Sequence, residues 1–314
     1  MVLMVHVGYI LEWPAKYTWT GYYGVILFFV LSGYLSMVSM ENSASAWEFY
    51  KKRLIRIVPL YWVLLTIALF FNDGIRSIKY LRYYTFLNMF IPSDDFGRWN
   101  NMNGFWTIPA FIFFYLTVPL IFKFVRRYYV SLIILTVILF CRDPFVARLE
   151  GILNESGQIV SGIHEFAEWM PLSVFYCFFL GVTVFYACKE RQQFSFALLC
   201  IISLIYNEFK WFGWDIAMAL LVLGAAVLPP VIVREGMITR IIKTASAFSF
   251  AQYLTHIMVL GYVVKLKDFM VPIIRNKGFM IFVSAFCMVI GYLTWRFIEK
   301  PLSDRFFGLK KEAL

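Results

Sequence analysis

Residues 21–40 read GYYGVILFFVLSGYLSMVSM, and this run contains no charged side chain. A helix of about 20 apolar residues spans the hydrocarbon core of a bilayer. The run is continuously apolar instead of alternating, which favours a helix over a strand of a membrane barrel. This stretch therefore predicts a membrane-spanning helix.

The composition of the whole chain extends this prediction beyond one helix. Of the 314 residues, 61% are hydrophobic, 20% are aromatic and only 15% are charged. A soluble domain has about 25% charged residues and about 45–50% apolar residues. A water-soluble fold of this length cannot bury so much apolar surface. We expect an all-α, polytopic integral membrane protein of the cell membrane, in contact with membrane lipid.

Ten apolar runs are candidate membrane helices: 1–11, 21–40, 57–72, 105–124, 128–141, 169–188, 194–207, 213–233, 246–265 and 278–298. The first run is short, because eleven residues cover only about 16 Å of a hydrocarbon core about 30 Å thick. We expect about ten transmembrane helices, the first truncated, and a true chain start about 10–15 residues upstream. We also expect a single membrane domain over residues 1–314, with no soluble domain attached.

The positive charge lies in short groups between the apolar runs. The net charge is +10, and the densest basic groups are residues 51–56 and the carboxy-terminal tail. This layout is typical of cytoplasmic loops and anionic-lipid contacts, and it argues against nucleic acid as a partner. Both termini are therefore expected to be cytoplasmic. The five cysteines include no CxxC pair, so they predict no metal site.

Two predicted outer loops are long, 73–104 and 142–168. In the first loop, residues 77–90 are rich in tyrosine and predict a short interfacial helix. Polar, aromatic outer loops suit a carbohydrate partner, and solvated connectors explain them equally well.

Ionisable side chains at membrane depth are costly, which makes each a functional candidate. His6 lies in an apolar run, where an imidazole is suited to accept a proton near neutral pH or is simply a hydrogen-bonded core residue. Arg53 and Arg56 are three residues apart and share a helix face. Two guanidinium groups there predict a phosphate clamp, with a positive-inside anchor as the alternative.

Two further ionisable groups lie in the last predicted helices. His256, three residues after Tyr253, is a candidate base, ligand contact or buried structural donor. Glu299 ends the last predicted helix, where Arg296 can pair with it at i,i+3.

Five segments, in chain order, share motifs with a known family. Gly24–Tyr34 is similar to a motif of Gly-Val, two Phe and Ser-Gly-Phe, and Arg53–Trp62 is similar to Arg-x-x-Arg followed by Pro-x-Tyr-Trp. Phe105–Pro119 is similar to a Trp-Ser/Thr-Leu segment. Ser249–His256 is similar to Ser-x-x-x-Tyr-Leu-x-His, and Trp295–Pro301 is similar to Arg-Phe-Ile-Glu-x-Pro. Together they resemble the membrane-bound acyltransferase-3 family, from His6 to Pro301.

The resemblance implies O-acylation, usually acetylation, of a free or lipid-linked glycan, with acetyl-CoA as a donor that reaches the protein from the cytoplasm. It implies His6 as the general base and Arg53 and Arg56 as the site of the CoA phosphates. Further substrate-contacting or site-lining candidates are Ser32, Tyr34, Trp106, Tyr253, His256 and Glu299. Either an extracytoplasmic partner completes the transfer or the membrane domain suffices.

The sequence departs from the family pattern in two places. The Arg that the family has eleven residues before its first histidine would precede Met1, and the Glu that often follows the Trp-Ser-Leu segment is absent from residues 109–112. Two alternatives stay open: a transporter or flippase of lipid-linked sugar or acyl groups, and a non-catalytic sensor or scaffold on the same fold.

Overall fold

The computed structural model describes residue 6 and residues 22–71, 80–92, 103–157, 162–206, 213–228, 236–265 and 277–307. These ranges are all-helical apart from turns. The α-helices are α1 (Tyr22–Glu41), α2 (Ala46–Phe71), α3 (Leu81–Tyr84), α4 (Thr107–Phe124), α5 (Tyr128–Ser156), α6 (Ile163–Trp169), α7 (Phe175–Lys189), α8 (Gln193–Tyr206), α9 (Gly213–Val227), α10 (Met237–Lys265), α11 (Lys277–Thr294) and α12 (Lys300–Phe307). A 3₁₀ turn precedes α4, and a π-helical turn, Trp295–Glu299, joins α11 to α12.

The all-helical membrane class is confirmed, but the predicted number of about ten crossings is not. Five helices in the described ranges are long and apolar enough to cross a membrane: Tyr23–Glu41, Ala46–Phe70, Thr107–Phe124, Tyr128–Ser156 and Ile281–Arg305. Shorter apolar helices are Phe175–Lys189, Gln193–Ile205 and Trp214–Val227. Every predicted apolar run after the first overlaps a helix, while run 1–11 lies outside the described residues except for His6.

Much of the predicted outer loop 142–168 is helical, so that prediction is wrong. Helix α5 continues to Ser156, and α6 follows. The polar residues that indicated a loop instead pair between these two helices. Arg142 forms an ion pair with Glu168, and Nδ1 of His164 lies 2.6 Å from a Glu150 carboxylate oxygen.

The helix predicted at 77–90 is limited to a single turn, α3, in the described part of that stretch. Phe86 adopts φ of 62°, in the left-handed region. A bulky residue rarely adopts this conformation, and a right-handed helix cannot pass through it.

The centre of the bundle is the crossing of α1 over α7. At this crossing Gly33 and Gly181 face each other, and a Cβ on Gly33 would collide with the backbone carbonyl of Phe178. Small residues allow helix backbones to approach this closely in membranes. Aromatic rings fill the adjacent core, with Phe178 4.6 Å from Phe29 and 4.3 Å from Phe114 between ring centroids.

Candidate active site

Two histidines from opposite ends of the chain meet inside the bundle. The ring centroids of His6 and His256 are 5.4 Å apart, and the ring planes are inclined by 45°. His256 lies on α10 and is only 2% exposed. The sequence predicted each histidine separately as a site residue, and the tertiary structure places them together.

The hydrogen bond of His256 determines which of its ring nitrogens holds the proton. Nδ1 lies 2.5 Å from the backbone carbonyl oxygen of Tyr253. A carbonyl oxygen only accepts, so Nδ1–H must be the donor. In the neutral ring Nε2 then has a lone pair, and this buried atom has no hydrogen-bond partner among the described residues. Buried acceptors are normally satisfied, which marks Nε2 as a position with an unused acceptor.

Tyr253 is held in place from two sides. Its hydroxyl donates to Oγ1 of Thr107 at 3.0 Å, and its ring is parallel to Phe28 at 6.0 Å between centroids. Thr107 is fully buried at the start of α4. Helices α1, α4 and α10 therefore fix the carbonyl that orients His256.

Arg53 points into the bundle. Its Nη2 donates to the carbonyl oxygen of Leu35 at 2.7 Å, and its guanidinium lies 5.9 Å and 5.8 Å from the ring centroids of Phe49 and Tyr115. The hydroxyl of Tyr115 is also beside Ser32. Arg53 is thus anchored by backbone and aromatic contacts, while its Nε has no hydrogen-bond partner among the described residues.

Arg56 is the more accessible of the two arginines. Its side chain is 55% exposed, and its Nε lies 4.0 Å from Oε1 of Glu299, which is 7% exposed. Within the described residues Glu299 thus pairs with Arg56 on α2, and not with Arg296, the partner that the i,i+3 spacing offered. The π-helical turn Trp295–Glu299 places the carboxylate beside α2, and π-turns of this kind are frequent at functional sites.

One face of α1 contacts both the residues around Tyr253 and the residues around Arg53. Phe28 contacts Tyr253, Ser32 lies beside Tyr115, and Leu35 accepts from Arg53. Positions separated by four and seven residues share one helix face. The rise per residue puts Phe28, which stacks on Tyr253, and Leu35, which binds Arg53, about 10 Å apart along α1.

Two of the predicted site-lining residues make packing contacts with other helices. The ring of Tyr34 lies 6.4 Å from Phe185 on α7, and Trp106 stacks on Trp169 at 5.0 Å between centroids. The structure brings neither of them to the histidine pair.

Thr107 and Tyr115 were missed as site residues by sequence reasoning. Both lie in α4, and both contact a predicted site residue. The sequence signal for both was a hydroxyl group within an apolar run. A buried hydroxyl needs a hydrogen-bond partner, so such a residue is expected to contact another polar side chain or the backbone.

A second polar network joins α5, α6, α7 and α9. Arg142 pairs with Glu168 and lies 5.6 Å from the ring centroid of Tyr176, whose hydroxyl donates to Asp215 at 2.7 Å. The Arg142–Glu168 pair neutralises two opposite charges, which lowers the cost of holding them within an apolar bundle.

The third histidine, His164, lies outside the membrane-spanning helices. The hydrogen bond to Glu150 raises the pKa of His164, with a smaller contribution from the carboxylates of Glu165 and Glu168. Its side chain is 63% exposed, so this pair is a surface contact. Within the described ranges, no group of three or more His, Cys, Asp or Glu residues could hold a metal ion.

Comparison with known proteins assigns the class. The chain belongs to the acyltransferase-3 family, whose model, described as an acyltransferase domain, matches residues 1–296. It is 23% identical over 290 aligned residues to Acyltransferase MdmB of Streptomyces mycarofaciens, covering 78% of this chain and 70% of that protein. It is 28% identical over 125 aligned residues to Nodulation protein 10 of Rhizobium leguminosarum bv. viciae.

The coverage of these relatives differs. The second alignment covers 33% of this chain and spans about a third, 34%, of the length of Nodulation protein 10. No solved structure matches the chain significantly.

Proposed function

We propose that this chain is an O-acyltransferase of the cell membrane, which transfers an acetyl group from acetyl-CoA to a hydroxyl of a cell-surface glycan. The main support is that one face of α1 carries both Leu35, which binds Arg53, and Phe28, which stacks on Tyr253 next to His256. Membership of an acyltransferase family supports acyl transfer as the reaction class. The glycan acceptor and the acetyl donor rest on the motif resemblance.

The donor phosphates are best matched by Arg56. Its exposed guanidinium is a strong partner for phosphate oxygens, whereas Arg53 is already anchored to Leu35. Arg53 then adds a second positive charge that attracts the donor phosphates without binding them directly. From there the pantetheine arm follows the face of α1 past Ser32 toward the histidines.

The transfer step uses His6 as a general base. His6 takes the proton of the acceptor hydroxyl while the oxygen attacks the thioester carbonyl. The new carbon–oxygen bond forms, the carbon–sulfur bond breaks, and the CoA thiolate recovers the proton from His6. A water-excluded site strengthens the electrostatic interactions of this step.

Release of free CoA tests the function directly. Membranes that contain the protein are given acetyl-CoA with and without the glycan fraction of the host, and free thiol is measured. Acceptor-dependent release is the expected result. A transporter or scaffold would release no CoA with either addition, and that outcome would overturn the proposal.

Replacing Arg56 with alanine is expected to weaken acetyl-CoA binding by about 10–100-fold, because each charge-assisted hydrogen bond is worth about 1.5–3 kcal/mol. The fold should be retained, since the side chain is mostly exposed. Equilibrium binding of acetyl-CoA to purified protein measures the change. Lys51→Ala is the matched control, because Lys51 is an exposed cation on the same helix. Equal affinities for the two variants would contradict a phosphate role for Arg56.

A further inference from the structure

We propose that His256 is a positioning residue for His6: its Nε2 accepts a proton-sharing hydrogen bond from the His6 ring and thereby sets His6 as the base. This inference rests on the proposed function. It is carried by the adjacent rings, the hydrogen bond from Nδ1 to the Tyr253 carbonyl, and the buried acceptor at Nε2.

The separation of the rings suits a nitrogen–nitrogen hydrogen bond. An imidazole nitrogen lies about 1.2 Å from its ring centroid, so a hydrogen bond of about 2.9 Å joins rings about 5.3 Å apart. The centroids of His6 and His256 are 5.4 Å apart. The separation therefore fits such a bond when a nitrogen of each ring points toward the other ring.

The tautomer of His256 gives this contact a direction. Nδ1 keeps its proton on the Tyr253 carbonyl, so Nε2 can accept and cannot donate while the ring is neutral. His6 must then be the donor in the shared bond. In a neutral His6 ring the other nitrogen is then unprotonated, which is the form that takes the proton of the acceptor hydroxyl.

The same contact stabilises the charge that develops during transfer. When His6 takes the hydroxyl proton it becomes an imidazolium, and its shared N–H then donates to Nε2 as a charge-assisted bond. Two imidazolium rings at this distance repel each other, so the pair holds one extra proton and not two. The titratable side chains beside His256, within the described residues, are His6 and Tyr253.

Two substitutions separate this role from simple packing. His256→Asn keeps a donor near the Nδ1 position for the Tyr253 carbonyl and removes the acceptor at Nε2. His256→Gln restores an acceptor near that position. We expect His256→Asn to lower kcat about 10–100-fold with the KM for acetyl-CoA unchanged, and His256→Gln to recover part of kcat.

The pH profile is a readout that a packing defect would not move. His256→Asn removes the acceptor for the His6 N–H, and protonated His6 loses the hydrogen bond that stabilises it. His6 is then a weaker base, so the acid limb of the kcat profile should move to lower pH. In His6→Ala, His256→Asn should cause no further loss, because His256 acts through His6. An unmoved profile, an unchanged kcat or additive losses would each overturn the inference.

The wild-type protein provides a test that does not depend on a variant folding. The chain has three histidines, so ¹⁵N-histidine spectra of the purified protein contain signals from three imidazole rings, each with two nitrogens. One ring other than that of His164 should be neutral and protonated at Nδ1 throughout the active pH range. Absence of that tautomer would overturn the inference. Loss of activity in His6→Ala with full activity in His256→Asn would reject this inference alone, whereas full activity in His6→Ala would reject the proposed base itself.

Discussion

His6→Ala is expected to lower acceptor-dependent CoA release by about 10²–10⁴-fold, the usual contribution of a positioned general base. The loss should appear in kcat. Binding of acetyl-CoA should be retained, because the proposed phosphate site is Arg56, whose ion-pair partner is Glu299, and not the histidine pair. The measurement is a steady-state assay of free thiol beside an acetyl-CoA binding curve.

The third histidine supplies the matched control for this variant. His164 is an exposed side chain paired with Glu150, away from the pair formed by His6 and His256. His164→Ala should release CoA at the wild-type rate. If both variants lose activity to the same degree, the loss reflects general damage and the base role of His6 is rejected.

Gly33→Ala is expected to disrupt the fold more than any single surface substitution. A Cβ at this position would collide with the Phe178 carbonyl and lie 3.2 Å from the Cα of Gly181. The neighbours are backbone atoms, which cannot move aside as a flexible side chain can. Overpacking typically lowers the free energy of unfolding by about 1–3 kcal/mol. Because Gly33→Ala forces two helix backbones apart, we expect a loss at the upper end of that range.

The displaced crossing should also impair activity, because Ser32 and Leu35 lie beside Gly33 on α1. The thermal midpoint of the detergent-solubilised protein measures the loss of stability. Gly224→Ala on α9 is the control, since a Cβ there meets nothing within 4 Å. The control should be neutral or stabilised by about 0.5–1 kcal/mol, as expected for Gly→Ala in a helix. An unchanged midpoint in Gly33→Ala would refute the close crossing of α1 and α7.

Candidate site residues were predictable wherever an ionisable side chain lies in an apolar run or at its end. His6 and His256 lie within such runs, and Arg53, Arg56 and Glu299 lie close to the ends of such runs, where lipid makes an unneeded charge or imidazole expensive. Their partners were not predictable in the same way. The Arg56–Glu299 contact joins α2 to the turn before α12, and nothing local to Glu299 indicates α2 instead of Arg296.

Loop prediction failed for a related reason. Charged residues between 142 and 168 look like a solvated connector when each is considered alone. In the structure Arg142 and Glu168 neutralise each other across two helices, so α5 can continue past Pro144. A charged segment indicates a loop only when the fold does not place an opposite charge beside each of its charged residues.

By itself the sequence determined the membrane class, the helices and the residue types of the site, because hydrophobic length and the cost of burying polar groups are local properties. The tertiary structure alone decided which of these residues meet. The approach of His6 to His256 and the contact of Gly33 with Gly181 join segments distant in sequence, whereas the proton on Nδ1 of His256 follows from a contact within α10. Such contacts are decided by how the helices pack in three dimensions, and local sequence patterns do not predict that packing.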